Sequence, residues 1–200
     1  TQINTDARKI QDKTGATRAK GVITKDEIAS QPEVWMATYE QMTGQKDALA
    51  ARLAGLKARP FVVIGCGSTY YLSAHVASVL RSLGIQAWAF PSSELVFFPQ
   101  AHLPADFVLL VISRSGTTTE TLWAMQAYRK AQPGGTIIAI TCTPGTPMIA
   151  AADITLLAEA AAERSVAQTR SFTSMTLMAQ MLAAILAGDA PRLAALRHAP

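Results

Sequence analysis

Runs of consecutive apolar residues alternate with amphipathic stretches along most of this chain. From residue 61 onward the apolar runs are FVVIGCG, IQAWAF, FVLLVIS, TIIAITC and DITLLA. Each run has the length of a strand, and a strand that is apolar throughout is buried on both faces. Such strands are typical of a parallel sheet that helices cover on both sides. The pattern therefore predicts a layered α/β sandwich.

The stretches between these runs have the apolar spacing of helices. The predicted helices lie in STYYLSAHVASVLRSLG, in TTTETLWAMQAYRKAQPGG, near Pro147, and in TRSFTSMTLMAQMLAAILAG. In the last of these helices, one set of apolar residues forms a stripe, namely Phe172, Met175, Met178, Leu182 and Ile185. Leu177, Met181 and Leu186 lie beside this stripe and widen the apolar surface around the helix. A helix with so wide an apolar surface requires burial on more than one side.

The chain is long enough for one substantial core, and its composition divides it into four segments. They are a polar arm (1–23), a helical lead-in (24–59), the main domain (60–188) and a connector (189–200). One or two helices are expected in the lead-in. Thr24 and Glu27 match a capping box there, and Pro32 suits the first turn of a following helix. The arm lacks apolar periodicity and is predicted to be loosely held.

Composition and charge limit the classes of function. Only two cysteines and no secretion signal predict a cytoplasmic protein, and no apolar run is long enough to cross a bilayer. The net charge of +4 is scattered without a dense basic block, which favours a small anionic ligand over nucleic acid. His75, His102 and His198 lack the spacing of metal ligands, so neither a metal nor another cofactor is expected.

Two of the apolar runs end in loops of glycine and hydroxyl residues. The first hydroxyl loop is GCGST, residues 65–69, and the second hydroxyl loop is SRSGTTT, residues 113–119. Both open into predicted helices at the carboxyl ends of strands, where α/β sheets bind ligands. The N–H groups of a helix N-terminus attract anions, and serine and threonine hydroxyls donate hydrogen bonds to phosphate oxygens. The loops are therefore predicted to form a phosphate cradle.

Other interpretations of these loops stand beside phosphate binding. Serine and threonine are ordinary N-cap residues, but five of the seven positions in the second hydroxyl loop carry hydroxyls, which is more than one cap uses. A dinucleotide fingerprint requires a third glycine where this chain has Tyr70, and a P-loop requires a lysine that is missing after these glycines. Cys66 lacks a paired base and is interpreted as a small residue in a tight turn. The residue pattern favours anion binding.

Five motifs, in this order, resemble those of the sugar isomerase (SIS) domain family. They are GCGSTYY, SSELV, SRSGTTTET, ITCTPGTPM and ERSVAQTRSFTSM, and the resemblance covers residues 24–188. Within the family the chain is similar to the first SIS domain of glucosamine-6-phosphate synthase and of the AgaS-like ketose/aldose-phosphate isomerases. The resemblance implies a three-layer α/β sandwich with a five-stranded parallel sheet. It also implies a homodimer and a phosphorylated sugar or amino sugar as the ligand.

The resemblance further implies roles for individual residues. The residues implied to contact the phosphate are Ser113, Arg114, Ser115 and Thr118 of the second hydroxyl loop, together with Ser68 and Thr69 of the first. The residues implied to line the sugar are Val166, Ala167 and Gln168. Arg114 stands where glucosamine-6-phosphate synthase has a glutamine. Its guanidinium is expected either to bond to the phosphate or to lie in solvent.

Aldose–ketose chemistry requires a group that removes a proton beside a carbonyl or imine carbon. Glu163 lies between the last predicted strand and the final helix, so it is the carboxylate nominated for catalysis. A helix-terminal charge, or a surface pair with Arg164 or Arg170, is the alternative. His75 lies on a mostly apolar helix, where a packed or half-exposed histidine is more common than a catalytic one.

These inferences support a sugar-phosphate isomerase or an amino-sugar-phosphate deaminase of the ketose/aldose type. In the two-domain synthase that the chain resembles, the general base lies beyond the first SIS domain. The chain is therefore interpreted as the N-terminal phosphate-binding half, with residues 189–200 leading toward a second SIS domain. The alternative is a regulatory module that senses a sugar phosphate without catalysis, although the first 60 residues show no convincing DNA-reading helix pair.

Overall fold

The computed structural model describes residues 10–11, 17–18, 21–98 and 103–198. Two short strands, β1 (Ile10–Gln11) and β2 (Thr17–Arg18), pair in an antiparallel manner ahead of the main domain. The remaining residues of the predicted polar arm before residue 21, and also His102, lie outside the described residues. The predicted looseness of the arm therefore stays a prediction.

Among the described residues, three α-helices precede the central sheet, where one or two helices were expected. They are α1 (Val22–Ala29), α2 (Gln31–Gly44) and α3 (Lys46–Arg52). Pro32 lies in the first turn of α2, as its fixed φ predicts. The capping box at Thr24 is wrong, because α1 begins two residues earlier, directly after Gly21 with its φ of 84°. Glu27 is buried and binds elsewhere in the chain.

Five parallel strands form the central sheet, as the resemblance implies. They are β3 (Phe61–Gly65), β4 (Ala87–Pro91), β5 (Val108–Ile112), β6 (Ile137–Thr141) and β7 (Ile154–Leu157). The order across the sheet is β4-β3-β5-β6-β7, and every neighbouring pair is parallel. The strands β3, β5 and β6 are buried at every position, as their unbroken apolar sequences predict.

Two layers of helices cover the sheet and complete the three-layer sandwich. The helices that follow the first strand of the sheet are α4 (Ser68–Ser82), α5 (Ser92–Phe97), α6 (Thr119–Ala131), α7 (Pro147–Ala151) and α8 (Arg170–Ala187). One face, which includes Val63 and Leu110, packs against α2, α4 and α8. The opposite face, which includes Val62 and Leu109, packs against α5, α6 and α7. Adjacent strand residues thus enter different cores, because side chains alternate across a strand.

Burial of α8 on several sides confirms what its wide apolar surface predicts. Leu177 and Met181 lie off the stripe and are still fully buried. The reason is that α8 packs against α2, α4 and β6 at once. In the described part of the chain no helix, α8 included, is long and apolar enough to span a membrane.

Two helices lie where the sequence analysis expected none. Among the helices predicted from the sequence, none lies between β4 and β5, but α5 spans the whole SSELV motif there. The predicted connector contains α9 (Ala190–Ala195), whose N-cap is Asp189. Both helices have six residues, so neither is long enough to show a helical period in its sequence.

Candidate functional site

The two hydroxyl loops meet at the point where the sheet changes direction. The strand β3 lies between β4 and β5, so the chain first extends the sheet toward one edge and then toward the other. The helix that follows β3 packs on one face, and the helix that follows β5 packs on the opposite face. Cys66 Sγ of the first loop lies 3.6 Å from Thr121 Oγ1 at the start of α6. Ligands of doubly wound sheets bind in the crevice at such a switch point.

The first hydroxyl loop is a tight turn that Thr69 closes. The Thr69 hydroxyl donates to Cys66 O at 2.9 Å and accepts from Cys66 N at 3.0 Å. A Cβ at Gly65 would lie 2.5 Å from Thr69 O, so only glycine permits this approach. Gly67 at the N-cap of α4 has no side chain that could cap the helix. Thr69 is therefore buried in the turn, whereas Ser68 is exposed beside the uncapped helix start.

The second hydroxyl loop is held from within by Ser113. Its hydroxyl accepts from Gly116 N at 3.2 Å and hydrogen-bonds to Thr118 Oγ1, also at 3.2 Å. Gly116 has a φ of +62°, and a Cβ there would lie 2.3 Å from Thr146 Oγ1. The Thr146 hydroxyl is buried and has no hydrogen-bond partner among the described residues. The loop thus has one backbone conformation that glycine makes accessible.

The outer hydroxyls of this loop do not act as helix caps. Thr118 is the N-cap residue of α6, but its side chain makes no capping hydrogen bond. Ser115 Oγ accepts from Thr117 N at 3.3 Å and pairs with Thr117 Oγ1 at 3.1 Å. Simple capping therefore does not account for these hydroxyls, and the helix start keeps N–H groups that no side chain caps.

Arg114 connects the second hydroxyl loop to residues 163–168, named here the outer segment. Its Nη1 donates to Ser165 O at 3.0 Å and Val166 O at 3.3 Å, and lies 3.6 Å from Glu163 Oε1. The two expected environments of this guanidinium were a phosphate and solvent. In the structure it is instead a donor to the outer segment, and its side chain is 26% exposed.

Glu163 anchors the outer segment to the start of α8. The Glu163 side chain is fully buried. Its carboxylate accepts hydrogen bonds from Thr169 N at 3.0 Å, from Thr169 Oγ1 at 2.7 Å and from Ser171 Oγ. This is a helix-terminal position, one of the alternatives that the sequence left open. Burial, together with the Glu163 charge, raises the pKa of the Cys142 thiol to about 12, so that thiol is neutral at physiological pH.

Glu27 of α1 is a site residue that the sequence analysis missed. The residue is 4% exposed, and its carboxylate accepts bonds from Arg164 N at 2.5 Å and Ser165 N at 3.2 Å. Burial acts to raise the pKa of this carboxyl, but the hydrogen bonds from residues 164 and 165 and the charge of Arg170 outweigh it. The net result is a lowered pKa. No local pattern could reveal this contact, since its partners lie 137 and 138 positions away.

The three residues implied to line a sugar occupy the outer end of this segment. Val166 is 94% exposed and Ala167 is also exposed. Gln168 differs, because its Oε1 is buried and has no hydrogen-bond partner within the described residues. A buried amide oxygen without a donor is uncommon, and a ligand hydroxyl is a group that could supply one.

The remaining candidates lie apart from this arrangement. His75 is exposed on α4, and its Nε2 lies 3.1 Å from Gln180 Nε2. His198 lies at the C-terminal end of the described chain. Over the residues that the structure covers, no group of three or more histidine, cysteine or acidic side chains is placed to hold a metal ion. The structure thus brings together the two hydroxyl loops, the outer segment and α1.

The strand order and the two diverging loops define a doubly wound α/β domain with the hydroxyl loops at its switch point. The chain belongs to the SIS domain family, whose sequence model matches residues 56–185. This confirms the resemblance that the five motifs indicated.

Two curated relatives illustrate the sequence similarity. The isomerizing glutamine–fructose-6-phosphate aminotransferase of Aeropyrum pernix is 32% identical over 178 residues, which cover 84% of this chain and 27% of the relative. The candidate D-galactosamine-6-phosphate deaminase AgaS of Streptomyces coelicolor is 30% identical over 170 residues, covering 79% of this chain and 44% of the relative. The chain therefore spans about a quarter of the first protein's length and less than half of the second.

Solved structures agree with this placement. Glucosamine-6-phosphate deaminase from Thermotoga maritima has a TM-score of 0.73 and 25% identity, and the match covers 87% of this chain and 52% of that one. The tagatose-6-phosphate ketose/aldose isomerase of Escherichia coli, at 24% identity and a TM-score of 0.69, shares the fold over 81% of this chain and 47% of its own. The relatives are thus sugar-phosphate isomerases, deaminases and an isomerizing aminotransferase.

Proposed function

We propose that this chain is the N-terminal phosphate-binding SIS half of a sugar-phosphate isomerase or amino-sugar-phosphate deaminase of the ketose/aldose type. The observation that carries the proposal is the junction at Arg114, which joins the second hydroxyl loop to the outer segment. A phosphate and a sugar ring are neighbouring parts of one ligand. A loop suited to phosphate therefore needs a surface suited to hydroxyl groups beside it, and this junction supports that pairing.

Hydroxyls and helix N–H groups form the phosphate end of the proposed site. Ser68 and Ser115 have solvent access next to the starts of α4 and α6, where the helix dipole favours an anion. We assign direct phosphate contacts to these two residues and to Thr118. Ser113 and Thr69 are buried inside their loops, and we assign them the support of the loop geometry. Arg114 binds the two carbonyls through Nη1 alone, so a contact between the phosphate and its Nε or Nη2 does not require release of those carbonyls.

The outer segment forms the sugar end of the proposed site. Gln168 Oε1 is the acceptor that we assign to a sugar hydroxyl, because it is buried without a donor. Val166 and Ala167 are exposed next to it. This placement supports a ligand that carries both a phosphate and several hydroxyl groups.

Proton transfer is the part of the chemistry that this chain supports least. Isomerisation moves a proton from the carbon beside a carbonyl to its neighbour, and deamination of an amino sugar needs the same step beside an imine. The oxygens of Glu163 already accept hydrogen bonds, so its role as proton acceptor requires those bonds to open. We propose that a second SIS domain supplies the general base. The chain matches only 44% of AgaS, which is consistent with this division.

Titration calorimetry tests the proposed ligand directly. Fructose-6-phosphate, glucosamine-6-phosphate and tagatose-6-phosphate are each compared with the unphosphorylated sugar. We expect the phosphates alone to bind. Ser115→Ala should weaken that binding about tenfold or more, since a hydrogen bond to a charged group is lost. Ser82→Ala, which removes an exposed hydroxyl at the far end of α4, is the matched control and should bind as the wild type does. Equal binding of free sugar and sugar phosphate would contradict the proposal.

A sensing module without catalysis is the second candidate function. It is favoured by one observation, namely that Glu27 and Glu163, the two carboxylates at the outer segment, both accept backbone hydrogen bonds. A turnover assay of a longer protein that includes the proposed second SIS domain separates the two candidates. Turnover by the longer protein supports the enzyme, whereas binding without turnover supports the sensor.

We further propose that the protein works as a cytoplasmic homodimer. Several aromatic side chains are more than half exposed, and aromatic residues are enriched at protein interfaces. These residues are Tyr71, Phe97, Phe98 and Trp123. Their exposure supports the dimer that the family resemblance implies.

A further inference from the structure

Glu27 is a buried acidic residue for which the proposed function has no direct use. It lies on α1, in the lead-in that precedes the sheet, and its side chain reaches residues 164 and 165 of the outer segment. Ser30, at the end of the same helix, accepts a hydrogen bond at 3.2 Å from Arg170 Nη1 at the start of α8. The helix α1 is thus bonded both to the outer segment and to the helix that follows it.

The contact at Glu27 replaces the regular hydrogen bonding that the outer segment lacks. Residues 162–169 contain neither helix nor strand. Backbone N–H groups in such a segment need other acceptors, and a carboxylate forms stronger hydrogen bonds than a neutral group. Burying a carboxylate is unfavourable unless such bonds offset the loss of water. Each partner therefore satisfies the other, and the position of the segment depends on α1.

We propose that Glu27 is a positioning residue for the sugar, because it fixes the peptide units at 164 and 165 from which the sugar-lining residues project. The inference rests on the proposed function. Glu27 binds the N–H groups of the outer segment. Arg114 of the second hydroxyl loop binds the carbonyl oxygens of Ser165 and Val166, so the outer segment is held from both sides. Loss of Glu27 leaves the second hydroxyl loop with its own hydrogen bonds intact. Sugar recognition should therefore fail while phosphate recognition persists.

Hydrogen exchange of the ligand-free chain tests the anchoring role without any ligand. Glu27→Gln is compared with Asp26→Asn, which removes the same charge from an exposed neighbour on the same helix. We expect the amides of residues 164 and 165 to exchange at least tenfold faster in Glu27→Gln and at the wild-type rate in Asp26→Asn. Equal protection in all three proteins would overturn the inference.

Binding measurements test the positioning role. Fructose-6-phosphate and inorganic phosphate are titrated into the wild type, Glu27→Gln and Asp26→Asn. We expect Glu27→Gln to bind fructose-6-phosphate about tenfold more weakly and inorganic phosphate within twofold of the wild type. A purely structural role would weaken both ligands equally, which would overturn the proposal, as would unchanged binding of both. If the wild type binds no sugar phosphate, the proposed function is overturned, and the positioning role of Glu27 is overturned with it. The hydrogen-exchange experiment would still decide whether Glu27 anchors the outer segment.

Discussion

Charged side chains hold the outer segment by bonding to its backbone. Arg114 binds two of its carbonyl oxygens, Glu27 binds two of its N–H groups, and Glu163 binds the residue that follows it. Buried charges are favourable only where hydrogen bonds replace their hydration, and here the segment supplies those bonds. A stretch without regular secondary structure thereby obtains a defined position, which a binding surface needs.

Gly116 provides a test of the second hydroxyl loop at the scale of one residue. Gly116→Ala places a Cβ against Thr146 at a φ of +62°. The left-handed conformation and the overpacking should together lower the free energy of unfolding by about 2–4 kcal/mol. Urea unfolding measures this change. Gly134→Ala has open space around the new Cβ and should change the stability little, so equal losses in both variants would contradict the interpretation of the loop.

Residue chemistry at the site could be anticipated only in part. The hydroxyl loops were found because their composition is local, and the structure places them side by side at the switch point of the sheet. The contacts of Arg114 and Glu27 were not found, because each depends on where distant segments meet. The helix-terminal position of Glu163 was one of the alternatives that the sequence left open, since its partners Thr169 and Ser171 are close along the chain. The sequence analysis interpreted Glu27 as half of a capping box, a local pattern that the long-range bonds to residues 164 and 165 override.

At the scale of elements, the sequence predicted best those that lie in the core. All five strands were found from their apolar runs. The pattern is unbroken in β3, β5 and β6 because both of their faces are buried, whereas β4 and β7 are only partly buried. The short helices α5 and α9 were missed, because six residues do not complete two turns. The lead-in helices were expected, but their integration with α8 was not, because packing between distant helices leaves no local signal.

Met42 tests whether the lead-in is part of the core. It lies on α2, is completely buried, and belongs to the same cluster as the residues of α8. Met42→Ala should lower the free energy of unfolding by about 2–5 kcal/mol, the usual cost of removing a large buried side chain. Chemical denaturation gives the value. Met36→Ala, at a partly exposed position of the same helix, should cost much less. Similar small effects at both positions would show that α2 is not part of the cooperative core.

At the scale of the whole molecule, the site is open on the side where the outer segment faces solvent. Val166 is almost fully exposed although its backbone is fixed. The aromatic side chains of α4, α5 and α6 that face solvent add apolar surface elsewhere on the domain. An exposed edge next to the hydroxyl loops is suited to completion by another domain or subunit, which is what the proposed function assumes.

The proposed division of labour between this chain and a second SIS domain makes a prediction about proton exchange. With fructose-6-phosphate in deuterated water, an active general base would exchange the C–H hydrogens beside the carbonyl, which NMR detects. We expect this chain to bind the ligand without such exchange, since the carboxylates of Glu27 and Glu163 are occupied by hydrogen bonds. The control variant is Glu159→Gln, at a nearby exposed position. If the chain does catalyse exchange, and Glu163→Gln abolishes it while Glu159→Gln does not, the expectation is contradicted and proton transfer is assigned to Glu163. Absence of exchange in the chain and its appearance when the second domain is added would place the base in that domain.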